Sequence, residues 1–397
     1  MLPDAFPWWG LLALATAAFT DVVTDLLPAG LLPQMSSSLR VPEARVGLLV
    51  SAFAVASALA AIPVTAVLRG LPRRPVLQWV LAGFALLDAV TAVSSWYPLT
   101  FLARLAAGVM GGTLWSMLAG YAARMVPARQ RGRAIAVVLG GITVALCGGI
   151  PAGTALADAL GWRASFGLLA GLALLLVAWI RWQVPAFAGD PATRRDPVRR
   201  VARLPGIPAV LAVTLLLLTG HQAMYTYVAP FAPGRTGLVL LVFGGATVAG
   251  IWVTGVVADS HLRPVLLTSL TLIAVAMLIL GLARAPAALL AAAALWGAAF
   301  GGAPALLQTA LVDASGPAGA DVATALQTTV YNVGIAAGSL AGGLVLGDAG
   351  AAALPWVTLA FTVAALGTAA TARRRAFPRD RRPERGIPAR GPLLPRA

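Results

Sequence analysis

Twelve apolar runs, each long enough to cross a bilayer, occupy almost all of this 397-residue chain. They fall at about 8–32, 44–68, 74–94, 97–122, 132–157 and 163–183. After an arginine-rich break they resume at about 205–231, 236–258, 264–284, 286–310, 321–347 and 350–372. A hydrocarbon core roughly 30 Å thick takes about 20 apolar residues per helical span, so twelve spans and short loops leave no room for a soluble domain. Only 11% of the residues are charged, against about 25% in soluble domains, too few to cover a water-soluble surface. The expected fold is an all-α integral membrane protein of twelve transmembrane helices.

The charges then orient it. All 29 basic Lys/Arg positions are arginine, and the chain has no lysine. The loops after the second, fourth, sixth, eighth and tenth runs, together with the tail, hold 23 arginines; the opposite loops hold Arg40, Arg45, Arg163, Arg235 and Arg284, and Arg104 lies inside a run. An even number of spans puts both ends on one side, and the positive-inside rule makes that side cytoplasmic. The same placement argues against nucleic acid as a partner, although the net charge is +15. The opening MLPDAFPWWG lacks the basic start of a signal peptide, so the first run is read as a retained span. Arginine, alanine and glycine enrichment resembles the coding bias of a GC-rich bacterium, which implies its inner membrane. Cys147 is the only cysteine, which excludes an intramolecular disulfide and a cysteine metal cluster; no cofactor and no metal are expected.

The segment PAFAGDPATRRDPVRRVARL divides the chain into two halves. We expect a six-helix bundle over 1–184, a cytoplasmic linker at 185–204, a second six-helix bundle over 205–372, and an Arg/Pro-rich, disordered tail at 373–397. The halves repeat each other. VTAVLRGLPRRPVL at 64–77 aligns without gaps on VTGVVADSHLRPVL at 253–266, with seven identities, and both lie between the second and third spans of their half. A parallel repeat of six spans is how many transporters are built, with a site near the midplane between the two bundles. Pseudo-two-fold symmetry is therefore expected.

Several segments carry a more specific signal. TDLLPAGLLPQM (24–35), FLARLAAGVMGGTLWSMLAGYAARMVPARQRGRA (101–134), LGGITVALCGGIPAGTALADALGWRASF (139–166), TGHQAMYTYVAPF (219–231) and ALQTTVYNVGIAAGSLAGGLVL (325–346) resemble the first, fourth, fifth, seventh and eleventh spans of the major facilitator superfamily. The likeness is greatest to its twelve-span bacterial drug:proton antiporter branch, near the arabinose and chloramphenicol efflux permeases, and covers about 8–372. It implies alternating access, an acidic proton carrier in the first span at Asp25, a membrane-embedded relay arginine at Arg104, and a seal in the fifth span around Gly149 and Pro151. One loop departs from the family pattern. Where the family carries D-R-x-G-R-R between spans 2 and 3, this chain has Arg69-Gly70-Leu71-Pro72-Arg73-Arg74, while the second half keeps Asp259. Arg69, Arg73, Arg74 and Asp259 are accordingly the expected gate residues, with the gate held differently from the family's.

An ionisable group at the bilayer centre costs at least about 2.5–3.5 kcal/mol and is functional by default. Asp21 and Asp25 are four apart and share a helix face. Two carboxylates in a low-dielectric cavity cannot both ionise cheaply, which suits a group that loads and releases a proton. Asp25 is the expected carrier, and Asp21 a second carrier or a charge that attracts cations; the alternative for both is a structural pair with arginine. Asp88 is a candidate partner for Arg104. His221, Gln222, Tyr225, Trp115, Trp296, Gln327 and Asn332 are candidates to line a cavity for a mostly apolar small molecule; for His221, hydrogen-bonded structural, lining and titrating roles all stand. The glycines of the fifth and eleventh spans allow close, sliding helix contact.

The expected function is export of a small drug-like or amphipathic compound by proton antiport, by a monomer in the lipid bilayer. The alternatives are a sugar or metabolite efflux permease, or an uncoupled or non-transporting protein of the same fold. An enzyme is not expected: HExxH, metal-ligand spacings and a phosphate loop are all missing from the sequence.

Overall fold

The computed structural model describes residues 6–61, 63–68, 70–127, 130–189, 198–282 and 285–372. Arg69, most of the linker and the tail lie outside the described residues, as does the side chain of Asp259.

Among the described residues, twelve helices are long and apolar enough to cross a membrane. In chain order they are α1 (Trp8–Gly30), α2 (Glu43–Ala60), α3 (Arg73–Val93), α4 (Tyr97–Arg124), α5 (Arg133–Leu160), α6 (Trp162–Gln183), α7 (Ile207–Tyr225), α8 (Thr236–Val257), α9 (Leu262–Leu282), α10 (Pro286–Ser315), α11 (Val322–Ala349) and α12 (Ala351–Thr371). Helix is dictated because lipid offers no partner for an open backbone N–H or C=O. The apolar runs of the sequence coincide with these spans, the differences falling at the ends and being largest where the second run extends to 68 against Ala60 and the seventh to 231 against Tyr225. Helical geometry also continues through two connections, so Thr236–Leu282 and Pro286–Ala349 each carry two spans. The chain forms two six-helix bundles.

Small residues set how the bundles pack, and they do so twice. In α4, Gly108 and Gly112 seat against the backbone carbonyls of Phe53 and Ser57 of α2. In α10, Gly297 and Gly301 seat against the carbonyls of Phe243 and Thr247 of α8. A Cβ at any of the four would overlap backbone, so only glycine permits the approach. The pseudo-symmetry suggested by the loop repeat is thus visible as a repeated contact.

α5 is interrupted by a turn of π-helix at Ala145–Gly149. Cys147 lies in that turn, and its Sγ reaches the carbonyl of Gly244 in α8 at 3.0 Å. Other contacts between the bundles lie towards the same end of the molecule, where α1 finishes at Gly30. Ser51 of α2 donates to the Ala336 carbonyl of α11 at 3.1 Å. The Tyr227 hydroxyl packs on Gly47 and Gly343 and donates to the Ser339 carbonyl at 2.8 Å.

Candidate functional site

The N-terminal bundle carries a buried charge cluster. Arg104 of α4 is fully buried, Asp88 of α3 is 1% exposed and Asp21 of α1 is 6% exposed, while Asp25 is half-buried. Pro28 sits inside α1 and has no N–H, so it disturbs the backbone one turn beyond Thr24 and Asp25. Arg104 Nη2 donates to the Asp25 backbone carbonyl at 3.0 Å, and its guanidinium lies 4.8 Å from the Phe53 ring centroid. Nε and Nη1 of Arg104 have no hydrogen-bond partner, nor has Oδ1 of Asp21, Asp25 or Asp88. Thr24 donates to Asp88 Oδ2 at 2.9 Å, and Asp21 Oδ1 lies over Gly111 of α4, where any Cβ would meet it. All three carboxyls interact electrostatically with Arg104.

The expected pairing of Arg104 with a carboxylate takes a different form here. Its hydrogen bond goes to a main-chain carbonyl, and the charges face it without a direct bond. Asp88 is engaged by Thr24, a residue the sequence reading did not single out.

The C-terminal bundle presents rings instead. His221 stacks on Phe300 with centroids 3.6 Å apart and planes 6° apart. Tyr225, Trp296 and Phe243 surround it at 5.4, 5.2 and 5.8 Å. These residues come from α7, α8 and α10. His221 Nδ1 and Trp296 Nε1 are buried without a partner. His221 and Tyr225 stand four apart and share one face of α7. Phe243 and Phe300 were missed, although Phe300 stands four residues after Trp296 and so one turn along the same face. Tyr225 and Tyr331 of the C-terminal bundle both lie within electrostatic range of Asp25 in the N-terminal bundle.

The amides are engaged. Gln222 Nε2 donates to Thr226 Oγ1 at 2.9 Å, and Thr226 pairs with Ser339 at 2.8 Å. Asn332 donates to the Thr328 carbonyl at 3.0 Å and Gln327 to that of Pro304 at 3.4 Å. Trp115 is half-buried against the core of the N-terminal bundle. Gly149 faces Phe19 and Val23 of α1, and Pro151 is buried immediately after the π-turn. At the arginine-rich end, Arg74 Nη1 reaches the Val184 carbonyl at 3.4 Å, and the Arg73 backbone N–H donates to Phe187 at 2.9 Å. Among the described residues no group of three or more His, Cys, Asp or Glu side chains could hold a metal ion.

A family model described as the Major Facilitator Superfamily matches residues 13–235 and again 231–396. The chain belongs to the major facilitator superfamily. It is a multi-pass membrane protein of the secondary-transporter class, which takes a small-molecule substrate across a lipid bilayer. Among solved structures, the human organic anion transporter MFSD10 (TETRAN) shares the fold with a TM-score of 0.66. The match covers 92% of this chain and 100% of that chain at 18% identity. The two six-helix bundles are therefore those of a major facilitator fold.

Proposed function

We propose that this transporter exports a small, largely apolar organic compound in exchange for protons, by alternating access. The observation that carries the reading is the buried cluster of three carboxyls and one guanidinium set opposite the aromatic group. With one carboxylate ionised and two carboxyls protonated, the cluster is electroneutral, so its charge is balanced only when protons are held there. Asp25 is the carrier because it is the least enclosed of the three and lies within electrostatic range of Tyr225 and Tyr331; Asp21 is the second acidic group and Arg104 the counter-charge. Substrate enters from the cytoplasmic side and rests on His221, Tyr225 and Trp296, with Gln222, Trp115, Gln327 and Asn332 around it. Asp25 releases its proton inward, the bundles rock, and an external proton resets it.

The arginine distribution supports an orientation with both termini cytoplasmic in a bacterial inner membrane, and the division into 1–184, 185–204, 205–372 and 373–397 accompanies it. Arg69, Arg73, Arg74 and Asp259 form the cytoplasmic gate, and Gly149 and Pro151 the seal, in a monomer. A sugar or metabolite substrate is the lesser reading, because the side chains gathered around His221 are chiefly aromatic rings.

The test uses proteoliposomes with an imposed pH gradient and a trapped pH dye, challenged with aromatic cationic, aromatic neutral and sugar-like compounds. Proton flux triggered by aromatic compounds, and lost at least about 100-fold in Asp25→Asn, is expected. That loss corresponds to roughly 2.7 kcal/mol. Wild-type export against a gradient by Asp25→Asn would remove Asp25 from the mechanism, and flux triggered by sugars alone would replace the substrate class.

A further inference from the structure

The five residues after α6 are tied to the N-terminal bundle to a degree their sequence does not advertise. Val184, Pro185, Phe187 and Ala188 each have their carbonyl taken by a donor on α3 or α4. Arg74 Nη1 reaches Val184 at 3.4 Å, the Tyr121 hydroxyl donates to Pro185 at 2.6 Å, the Arg73 backbone N–H donates to Phe187 at 2.9 Å, and Arg124 Nη1 reaches Ala188 at 3.3 Å. The Phe187 ring packs on Tyr121 with centroids 5.2 Å apart, and the Arg124 guanidinium lies 6.0 Å from it. Val184 is buried. At the far side of the connection, Val201 is 2% exposed, and its short helix Val198–Val201 packs against the Pro286–Ala349 element of the other bundle.

The connection between bundles is therefore anchored at both ends, with residues 189–197 between the anchors. Fully extended chain spans at most about 3.3–3.6 Å per residue, so nine residues reach roughly 30 Å and five more add roughly 17 Å. We propose that Val184–Ala188 is a strap that shortens the inter-bundle connection and sets how far the two bundles separate at the arginine-rich end. Tyr121, Arg124 and Phe187 are then positioning residues for the transport cycle. The loop at 69–74 has lost the acidic brace of its counterpart in the second half, and backbone carbonyls of the strap meet its arginines instead. The proposal rests on the two bundles moving against each other, but not on the substrate or on proton coupling.

A tether and a merely stabilising contact are separable, because only a tether responds to chain length. Spin labels placed through Gly70→Cys and Thr371→Cys, both exposed positions, in a Cys147→Ser background report the separation by pulsed electron resonance in lipid nanodiscs. Phe187→Ala and Tyr121→Phe should each add a population at longer distance, by up to about 17 Å. A five-residue Gly/Ser insertion after Asp190 should do the same with the strap intact, and Phe187→Trp should restore the original distribution in place of Phe187→Ala. Insertion without lengthening, or strap variants indistinguishable from the parent, would overturn the strap. If Phe187→Ala does not fold, Tyr121→Phe and the insertion decide. Failure of alternating access reads differently: one narrow distribution, insensitive to pH and to added aromatic compound, in every variant. Failure of proton antiport alone would leave these distances as expected while the flux assay is silent.

Discussion

The two bundles share one frame and fill it with opposite chemistry. Gly108 and Gly112 in α4 match Gly297 and Gly301 in α10, each pair seated on carbonyls of the neighbouring helix. Three residues beyond the first glycine of each pair the frames diverge. Gly111 leaves space that Asp21 Oδ1 and the Phe53 ring occupy, whereas Phe300 fills that space with a ring stacked on His221. The sequence near the end of the first span of each half diverges in the same way, within α1 in one half and just beyond α7 in the other. Thr24-Asp25-Leu26-Leu27-Pro28 corresponds to Thr226-Tyr227-Val228-Ala229-Pro230, with a carboxylate in one half and a phenol in the other. Thr24 bonds an aspartate, and its counterpart bonds Ser339. A duplicated scaffold keeps its backbone contacts, which tolerate nothing larger than hydrogen, and varies the side chains that the contacts leave pointing inward. Charge gathers in one half and polarisable surface in the other.

The sharpest way to break this division is to remove the cation of the buried charge cluster. Arg104→Met leaves three carboxyls facing one another; losing one partner of a buried charge set costs about 3–5 kcal/mol. The expected result is a large fall in thermal stability in detergent at neutral pH, together with loss of coupled flux. Retention of both would show that the guanidinium is not the counter-charge. A smaller effect should follow from giving the charged half a side chain where it has none. Gly111→Ala places a Cβ 2.7 Å from Asp21 Oδ1 and from the Phe53 ring. Overpacking of this kind costs about 1–3 kcal/mol, and the displaced carboxyl should lower coupled turnover while substrate affinity, measured by equilibrium dialysis, holds. The mildest change addresses the aromatic half. Trp296→Phe keeps a ring but removes a buried N–H that has no partner, a group that costs about 1–3 kcal/mol when unsatisfied. Thermal stability without substrate should not fall. The KM for substrates bearing a hydrogen-bond acceptor should rise several-fold, with maximal rate unchanged.

Much of this was legible from the residues alone. Lipid forces helix on every apolar run, so the spans could be read directly, and buried carboxylates in such runs, as at Asp21, Asp25 and Asp88, stand out because they are costly there. The i, i+4 spacing of His221 and Tyr225 was likewise enough to bring their rings together. Other features left little trace. Phe243 and Phe300 are ordinary apolar residues whose role depends on which helix lies opposite. The Arg104 bond to a main-chain oxygen cannot be seen in a pattern of side chains, and the strap is held through carbonyls, which every residue has. The altered loop was recognisable as a departure, but Arg69 and the Asp259 side chain lie outside the described residues.

The π-turn at Ala145–Gly149 acts as a phase shift within a single rod. One extra residue in a turn advances every later side chain by about 100° relative to an uninterrupted α-helix. Beyond it, Thr154 faces Gly30 of α1, and Asp158 accepts from Gln34 at 2.7 Å. Before it, Gly141 meets the carbonyl of Ala15 on that same helix. Without the shift, a straight α5 could satisfy one of these faces but would turn the other aside. The five residues therefore keep two stretches of α5 in step with a single neighbour, and deleting any one of them would rotate Ile150–Leu160 out of register while leaving the chain fully helical.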